Sequence, residues 1–340
     1  MTAVASPCFD HLLAMTDRLG TFEHAELSAA RTELGYCTDD MARVLLVTAR
    51  EPNPSREVLS LIELSLRFLH DAQSFDGDYH NRRNQHGRWE DRPSSEDCWG
   101  RSVWALGTAA SRAGYDWVRQ SATVEFERAA HRRSPWLRAT AFAALGAAEL
   151  LTVKPDHREA RALLVDAAAQ MVEPETLSDW IWPEPRLTYA NAVIPDAMIA
   201  AGTTLDRPEL IERGLRLLGW LLDHETVDGH LSVSPVGGAG PGSLRPAFDQ
   251  QPIEVAALAD ACARAAAVDP DNRRWADGVA AAAAWFMGDN DAVQPMFDPA
   301  TGGGYDGLRA TGPNLNQGTE STLALLSTLQ HARRLVPASQ

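Results

Sequence analysis

Five stretches place carboxylates or side-chain amides just ahead of apolar runs with helical spacing. They are Thr38-Asp39-Asp40, Ser95-Glu96-Asp97, Thr188-Tyr189-Ala190-Asn191, Asp249-Gln250-Gln251-Pro252-Ile253-Glu254 and Asn316-Gln317-Gly318-Thr319-Glu320. An acid in a first helical turn offsets the helix dipole by roughly 0.3–1 kcal/mol, so capping accounts for any one of them. It accounts less well for adjacent acids such as Asp39-Asp40 and Glu96-Asp97, whose mutual repulsion has an electrostatic cost. Paired carboxylates are the equipment of general acid–base chemistry. One keeps a proton because burial or a like-charged neighbour raises its pKa, and the other stays charged as base or nucleophile. On that logic Asp97, beside Glu96, is the expected acid, and Asp249 or Glu254 the expected base or nucleophile. Asp40 and Glu320 suit either role, or hold substrate hydroxyls.

The neutral groups at these entrances suit a polyhydroxyl ligand. Asn191, Gln250, Gln251, Asn316 and Gln317 offer donors and acceptors without charge. Trp89, Trp99, Trp136, Trp180, Trp182, Tyr189 and Tyr305 offer flat rings for pyranose faces, hinge packing being the alternative for about half of them. Trp104, Trp220 and Trp285 fall inside helices and read as core. Arg43, Arg101 and Arg138 follow three entrances by three to five residues, as counter-ions for the acids or as ligands for an anion. The expected substrate-binding set is therefore Asp39, Glu96, Arg101, Trp136, Trp182, Tyr189, Asn191, Gln250, Gln251, Asn316, Gln317 and Glu320. The histidines are scattered and read as structural.

The elements that must position these groups alternate along the chain. Runs near 38–50, 95–112, 135–151, 188–201, 251–268 and 316–333 are largely apolar, which predicts helices buried on several sides. Pro54–Ala72, Asp116–Arg132, Asp156–Val172, Arg207–His224 and Asp271–Met287 carry an apolar stripe beside charged residues, which predicts outer helices. Pro7–Leu19 is expected to be one more helix, Thr21–Leu34 a polar linker, and Thr38 a helix cap. Pro195 is expected to kink or delay its helix. No run of period-two strands appears, although short β-ribbons fit in the long loops. Six inner and six outer helices, repeating every 40–65 residues or so, predict an all-α (α/α)6 toroid, with residues 1–340 as a single domain. An open solenoid is the competing architecture.

Composition removes several functions. The chain has 31 basic and 46 acidic residues, a net charge of −15 with no basic stripe, so nucleic acid and anionic membranes are not expected partners. Cys8, Cys37, Cys98 and Cys262 have neither disulfide-framework nor zinc-ligand spacing. Gly302-Gly303-Gly304 lacks the following Lys-Ser/Thr of a phosphate loop. No metal or cofactor is expected. Met1–Asp10 does not resemble a signal peptide, and no run is long enough to span a bilayer, so the expected location is cytoplasmic.

Taken together, the entrance motifs resemble those of a bacterial family of six-hairpin, glycosidase-like helical toroids, often described as glycosyltransferase-like. The resemblance rests on Phe22-x-His24-Ala25, Gly35-Tyr36-Cys37-Thr38-Asp39-Asp40, Ser95-Glu96-Asp97 with Gly100-Arg101, Asp249–Glu254, and Asn316–Ala324. It implies the toroid fold, an oligosaccharide or glycoside substrate, and association with sugar-transfer and mannoside-processing enzymes. A glycosyltransferase is thus an expected partner. The sequence departs from the pattern at Leu34, Met41 and Ala190, where His, Asn and an acid are expected. The leading expectation is a glycoside hydrolase using Asp97, Asp249, Glu254 and Asp40. A sugar epimerase or isomerase is the rival enzyme, ranked lower because no entrance carries a histidine pair. A non-catalytic saccharide-binding partner of a glycosyltransferase is the third reading.

Overall fold

Apolar runs that are greasy all round form helices with almost no solvent-facing side. In the computed structural model, which describes residues 6–171 and 180–335, helix α4 (Asp97–Arg112) buries every residue from Cys98 to Ala110, and α6 (Leu137–Val153) every residue from Arg138 to Leu151. The remaining helices are α1 (Asp10–Ala14), α2 (Thr38–Ala49), α3 (Arg56–Ala72), α5 (Asp116–Ala129), α7 (Arg158–Gln170), α8 (Val193–Thr204), α9 (Pro208–His224), α10 (Pro252–Val268), α11 (Arg273–Phe286) and α12 (Thr319–Leu335). The amphipathic runs form the half-buried helices. On α3 the stripe Val58, Leu61, Ile62, Leu64, Leu66, Phe68 and Leu69 is buried while Arg56, Glu57, Glu63 and Arg67 face water. Short antiparallel ribbons occupy the long loops, at Ala25–Glu26 with Ala29–Ala30, Tyr36–Cys37 with Arg82–Arg83, Thr226–Val227 with His230–Leu231, and Gly307–Arg309 with Gly312–Asn314.

The chain divides into two compact units. One comprises Leu12–Met171 and Ala200–Pro208. In it α2, α4 and α6 pack side by side, and α3, α5 and α7 each pack back on the helix before them. The α4–α6 contact is a backbone contact. A Cβ placed on Gly107 would overlap the carbonyl of Gly146, one on Gly146 the carbonyl of Val103, and one on Gly100 the carbonyl of Ala139. Glycine is required there by space.

The other unit comprises Met1–His11, Val172–Ile199 and Glu209–Gln340. Within it α10 packs on α11 and α12. Gly214 of α9 sits against Pro195 and Ile199 of α8, and Arg264 of α10 pairs with the buried Asp196 of α8. Glu254 completes that tie. Its Oε1 accepts from the Ala190 N–H at 2.5 Å, and its Oε2 from the Asn191 N–H at 3.1 Å and Asn191 Nδ2 at 3.0 Å. These N–H groups lie just ahead of α8, where amides have no intrahelical partner, so the carboxylate of one helix caps another.

Several expected boundaries shift for local reasons. The expected helix over Pro7–Leu19 is only Asp10–Ala14, because Thr16 turns its hydroxyl back to the Leu12 carbonyl and bridges to Thr21. The linker Thr21–Leu34 contains a ribbon and a 3₁₀ turn. Thr38 is not the cap. Cys37 holds that position, and the Thr38 hydroxyl donates to the His80 carbonyl at 2.6 Å. The 188–201 helix begins at Val193, with Pro195 in its first turn, and Asn316–Gly318 remain outside α12. Val172, the expected last residue of its helix, lies outside the described residues.

Two substitutions test this packing. Gly107→Ala is expected to destabilise the protein by about 1–3 kcal/mol or more, because backbone rather than a movable side chain blocks the new methyl. Glu254→Gln removes the charge that three N–H groups share and is expected to cost about 1–3 kcal/mol. Both are read as a lowered urea midpoint, with Glu63→Gln on the solvent face of α3 as the unchanged control.

Candidate functional site

The first unit assembles its polar groups at the N-termini of α2 and α4. Asp39 lies in the first turn of α2, and the loop between α3 and α4 reaches it through Asn81. Asn81, from that loop, donates Nδ2 to Asp39 Oδ2 at 3.3 Å and accepts the Asp39 N–H at 3.4 Å. The Cys37 thiol hydrogen-bonds to Asn81 Oδ1 at 3.2 Å. Arg101, one turn into α4, brings its Nε to 3.7 Å from Asp39 Oδ1 and lays its guanidinium 4.0 Å over the Phe142 ring. Asp39 Oδ1 is buried and accepts no hydrogen bond. Burial pushes the Asp39 carboxyl above the ordinary aspartate range, and the charge of Asp97 adds to the push. Arg101, Arg43 and the Asn81 hydrogen bond only partly offset this. The arrangement therefore favours the protonated form of Asp39 more than water does. Oδ2 is already an acceptor, which leaves Oδ1 as the oxygen for a proton.

Other acids nearby are fully answered. Asp40 is buried against Arg43 at 2.5 Å, and Glu23 pairs with Arg82. Glu23, Cys37 and Asp40 lie close enough to share a cation, their ligand atoms within 4.8 Å. Burial and the charges of Asp39, Asp40 and Glu23 push the Cys37 thiol well up, so it keeps its proton. These residues fit an ion-pair knot better than a metal centre. Arg43 and Arg101 thus act as counter-ions for the acids, one of the two roles their spacing allows. Glu96 is exposed and Asp97 half-buried at the α4 entrance.

The same loop carries a group that reading the sequence for helix entrances misses. His80 Nδ1 faces two acceptors, the Asp91 carbonyl at 2.9 Å and Asp91 Oδ1 at 3.3 Å. Nδ1 is therefore the donor, and in the neutral ring Nε2 keeps the lone pair. The ring stacks on Trp89, centroids 5.1 Å apart and planes 13° from parallel. Asp91 Oδ2 also accepts the Asn81 N–H at 2.5 Å, so one loop backbone ties His80, Asp91 and Asp39 together. No periodic pattern announces a histidine and an aspartate eleven residues apart in a loop.

In the second unit the Asp249–Gln250 backbone runs beside the Gly307–Arg309 strand, Gln250 exchanging both backbone hydrogen bonds with Leu308. That register brings Arg309 to 3.8 Å from Asp249, whose side chain is half-exposed. Gln250 is fully buried and gives its Nε2 to Asp291 at 2.5 Å, and Gln251 is the half-buried N-cap of α10. Gln317 is buried between Thr301 at 2.7 Å and Asp298 at 3.2 Å. Asn191 is buried against Glu254. Asn316, just ahead of α12, and Glu320, in its first turn, are both half-buried. Of the rings, Trp136 is 58% and Tyr189 42% exposed, whereas Trp182 is buried. Trp99 is also buried, with its Nε1 donating to the Ala129 carbonyl.

The structure thus brings Asp39, Asp97, Arg101 and Arg43 together in one unit, and Glu254 with Asn191, and separately Asp249 with Arg309, in the other. Glu254, Gln250, Gln317 and Trp182 are held by the protein's own groups. Among the described residues no helix is long and apolar enough to cross a membrane.

No family model matches the chain, and no curated protein matches it. Solved structures do. A cellobiose 2-epimerase from Bacillus thermoamylovorans is similar at 11% identity and a TM-score of 0.70, over 95% of either chain. A sugar epimerase from a ruminal bacterium is similar at 12% identity and a TM-score of 0.69, over 96% of this chain and 95% of that one. An α-mannanase from Bacteroides thetaiotaomicron is similar at 10% identity and a TM-score of 0.60, over 90% of this chain and 89% of that one. The fold is accordingly the (α/α)6 toroid.

Proposed function

We propose that the protein is a carbohydrate-active enzyme that cleaves a glycosidic bond, with Asp39 as its proton donor. The observation that carries this reading is the Asp39 carboxyl itself. It is pushed up by burial and by Asp97, and Oδ1 has no hydrogen-bond partner. Glycoside cleavage needs a carboxylic acid that is still protonated near neutral pH to protonate the leaving oxygen. Asp97 then serves as the charged neighbour that keeps the proton in place, rather than as the acid that its position beside Glu96 suggests. Arg101, itself laid over the Phe142 ring, reaches to 3.7 Å from Oδ1, and Asn81 fixes Oδ2, so Oδ1 is the oxygen left to transfer the proton. Glu254 and Asp40 are committed to structural partners, whereas Asp249 is half-exposed beside Arg309 within its own unit. The described relatives of this fold include both hydrolases and epimerases, which supports a sugar substrate. A glycosyltransferase partner is a proposal that rests on the entrance motifs alone.

A second reading, sugar epimerisation or isomerisation, is favoured by His80. Its Asp91-set tautomer gives Nε2 the lone pair needed to take a proton from the carbon beside a sugar carbonyl, with the proton later returned to the same or the adjacent carbon. Incubating reducing sugars in D₂O separates the readings. Deuterium entering at that carbon, and lost in His80→Asn, supports epimerisation, whereas released reducing ends without exchange support hydrolysis.

Asp39→Asn tests the leading reading. Against α- and β-linked gluco- and manno-disaccharides, turnover is expected to fall roughly 10²–10⁴-fold while binding persists. The wild-type rate should decline as pH rises through the Asp39 pKa, and wild-type turnover in the variant would remove Asp39 as the acid. Stability gives an independent check. A carboxyl whose folded pKa is raised contributes stability below its unfolded pKa and loses it as pH rises through the folded value. Asp39→Asn should therefore raise the melting temperature at neutral pH, with the gain shrinking as pH falls into the ordinary carboxyl range.

A further inference from the structure

Charged and aromatic groups that the proposed chemistry does not use gather where α9 gives way to the Thr226–Leu231 ribbon. Glu225 is fully buried. Its Oε1 accepts from the Ser234 N–H at 2.9 Å and the Ser234 hydroxyl at 2.6 Å, but its Oε2 has no hydrogen-bond partner. Arg245 ends the Gly/Pro-rich segment that precedes Asp249. It gives Nη2 to the Ser232 carbonyl at 2.9 Å, while Nε and Nη1 are buried with nothing to donate to. Each of these opposite charges acts on the other, yet they do not close into an ion pair. Asp291, which Arg245 also feels, is already answered by His230 at 2.9 Å and Gln250 at 2.5 Å.

His224 adjoins this pair and responds to the charge of Arg245. Its Nε2 is buried without a partner. The imidazole stacks on Trp220, 5.0 Å away and 11° from parallel, and meets Trp180 edge-on at 5.7 Å. Trp182 backs Trp220 at 6.0 Å and 23°. Trp180, Trp220 and His224 are half-buried, which leaves part of each ring uncovered.

A buried polar atom with no hydrogen bond costs about 1–3 kcal/mol, more when charged. Four such atoms on three adjoining residues are a deficit that the chain does not meet from within. The missing partner must accept from a guanidinium and donate to a carboxylate. A hydroxyl does both at once, and vicinal hydroxyls on a flat ring do so beside an aromatic surface. An anion fits poorly, since Glu225 and Asp291 would repel it.

We infer that Glu225, Arg245, His224 and the Trp180–Trp220 rings form a saccharide-binding site in this unit, holding hydroxyls of one sugar ring between Arg245 and Glu225. The assignment rests on the carbohydrate reading above but uses none of the residues of the Asp39 site. Water offers the same donor and acceptor chemistry, so the test must tell the two apart.

Calorimetric titration with mannose, glucose and cellobiose is run on wild type, Arg245→Gln, Trp180→Phe and Asp39→Asn, each checked by circular-dichroism melting. A crystal structure with the bound sugar accompanies it. The expected result is a sugar hydroxyl within hydrogen-bond distance of both Arg245 and Glu225. Affinity should fall about tenfold or more in Arg245→Gln, the equivalent of one charge-assisted hydrogen bond. It should fall less in Trp180→Phe and be retained in Asp39→Asn. The inference is overturned if wild type binds none of the three sugars. Wild-type affinity in folded Arg245→Gln and Trp180→Phe, or water alone in the gap with the sugar bound elsewhere, also overturns it. Binding without any turnover defeats the glycosidase reading and leaves this site standing. Turnover by a protein whose sugar affinity is unchanged in folded Arg245→Gln and Trp180→Phe does the reverse.

Discussion

The closeness of the inner helices is the constraint from which the rest follows. Where α4 and α6 meet, Gly100, Gly107 and Gly146 leave no volume for a methyl group, and Ala139, Ala143 and Ala147 keep the facing surface small. Backbones packed this tightly cannot admit a charged side chain at mid-helix. Charges on these two helices accordingly sit near their ends. Arg101 and Arg138 lie one turn or less past the N-termini, and Glu149 lies near the C-terminus, where Arg112 grips both its oxygens at 2.7 and 2.8 Å. Helix packing thus concentrates polar chemistry at helix mouths before any ligand is considered.

At those mouths similar carboxylates meet different fates, decided by how many donors each one finds. Glu254 meets three N–H groups, which favour its ionised form and fix it as a cap. Asp40 meets Arg43 at 2.5 Å. Asp39, next to it in sequence, has one amide on Oδ2 and a guanidinium still 3.7 Å from Oδ1. Partial compensation in a buried setting is what raises the Asp39 carboxyl, and its Oδ1 is left over. Crowding of acids in the sequence marks the region. The count of donors separates their environments.

What the sequence discloses and what it hides divide along the same line. Hydrophobic periodicity tells inner from outer helices because burial on all sides leaves an apolar run, as from Cys98 to Ala110, and one-sided burial leaves a stripe, as on α3. The delay imposed by Pro195 is equally local, and Val193 begins α8 as a proline in the first turn allows. The entrances are harder to read, because loop contacts compete with the helix for the same groups. Thr38 looks like a cap but serves the His80 carbonyl, and Gln317 looks like a ligand residue but is consumed by Thr301 and Asp298. His80 and Asp91 are not legible at all. Their pairing depends on how a loop folds back, and the clustering of Glu225 with Arg245 depends on a chain reversal across twenty residues.

Ala190 shows how a departure from a family pattern can be structural in one respect and chemical in another. Its φ of 44° lies in the left-handed region, which Asp and Asn tolerate better than Ala. The backbone at 190 therefore suits Asp or Asn better than the alanine that occupies it. The N–H of residue 190 still caps Glu254, a role that needs no side chain, so an alanine preserves the entrance of α8 at the cost of a less comfortable backbone. What it removes is one carboxylate and its charge. With no carboxylate at position 190, the proposed proton donor is drawn from the acids that remain: a raised pKa and an uncommitted oxygen are shared by Asp39 and Glu225, and of the two only Asp39 sits at an inner-helix entrance.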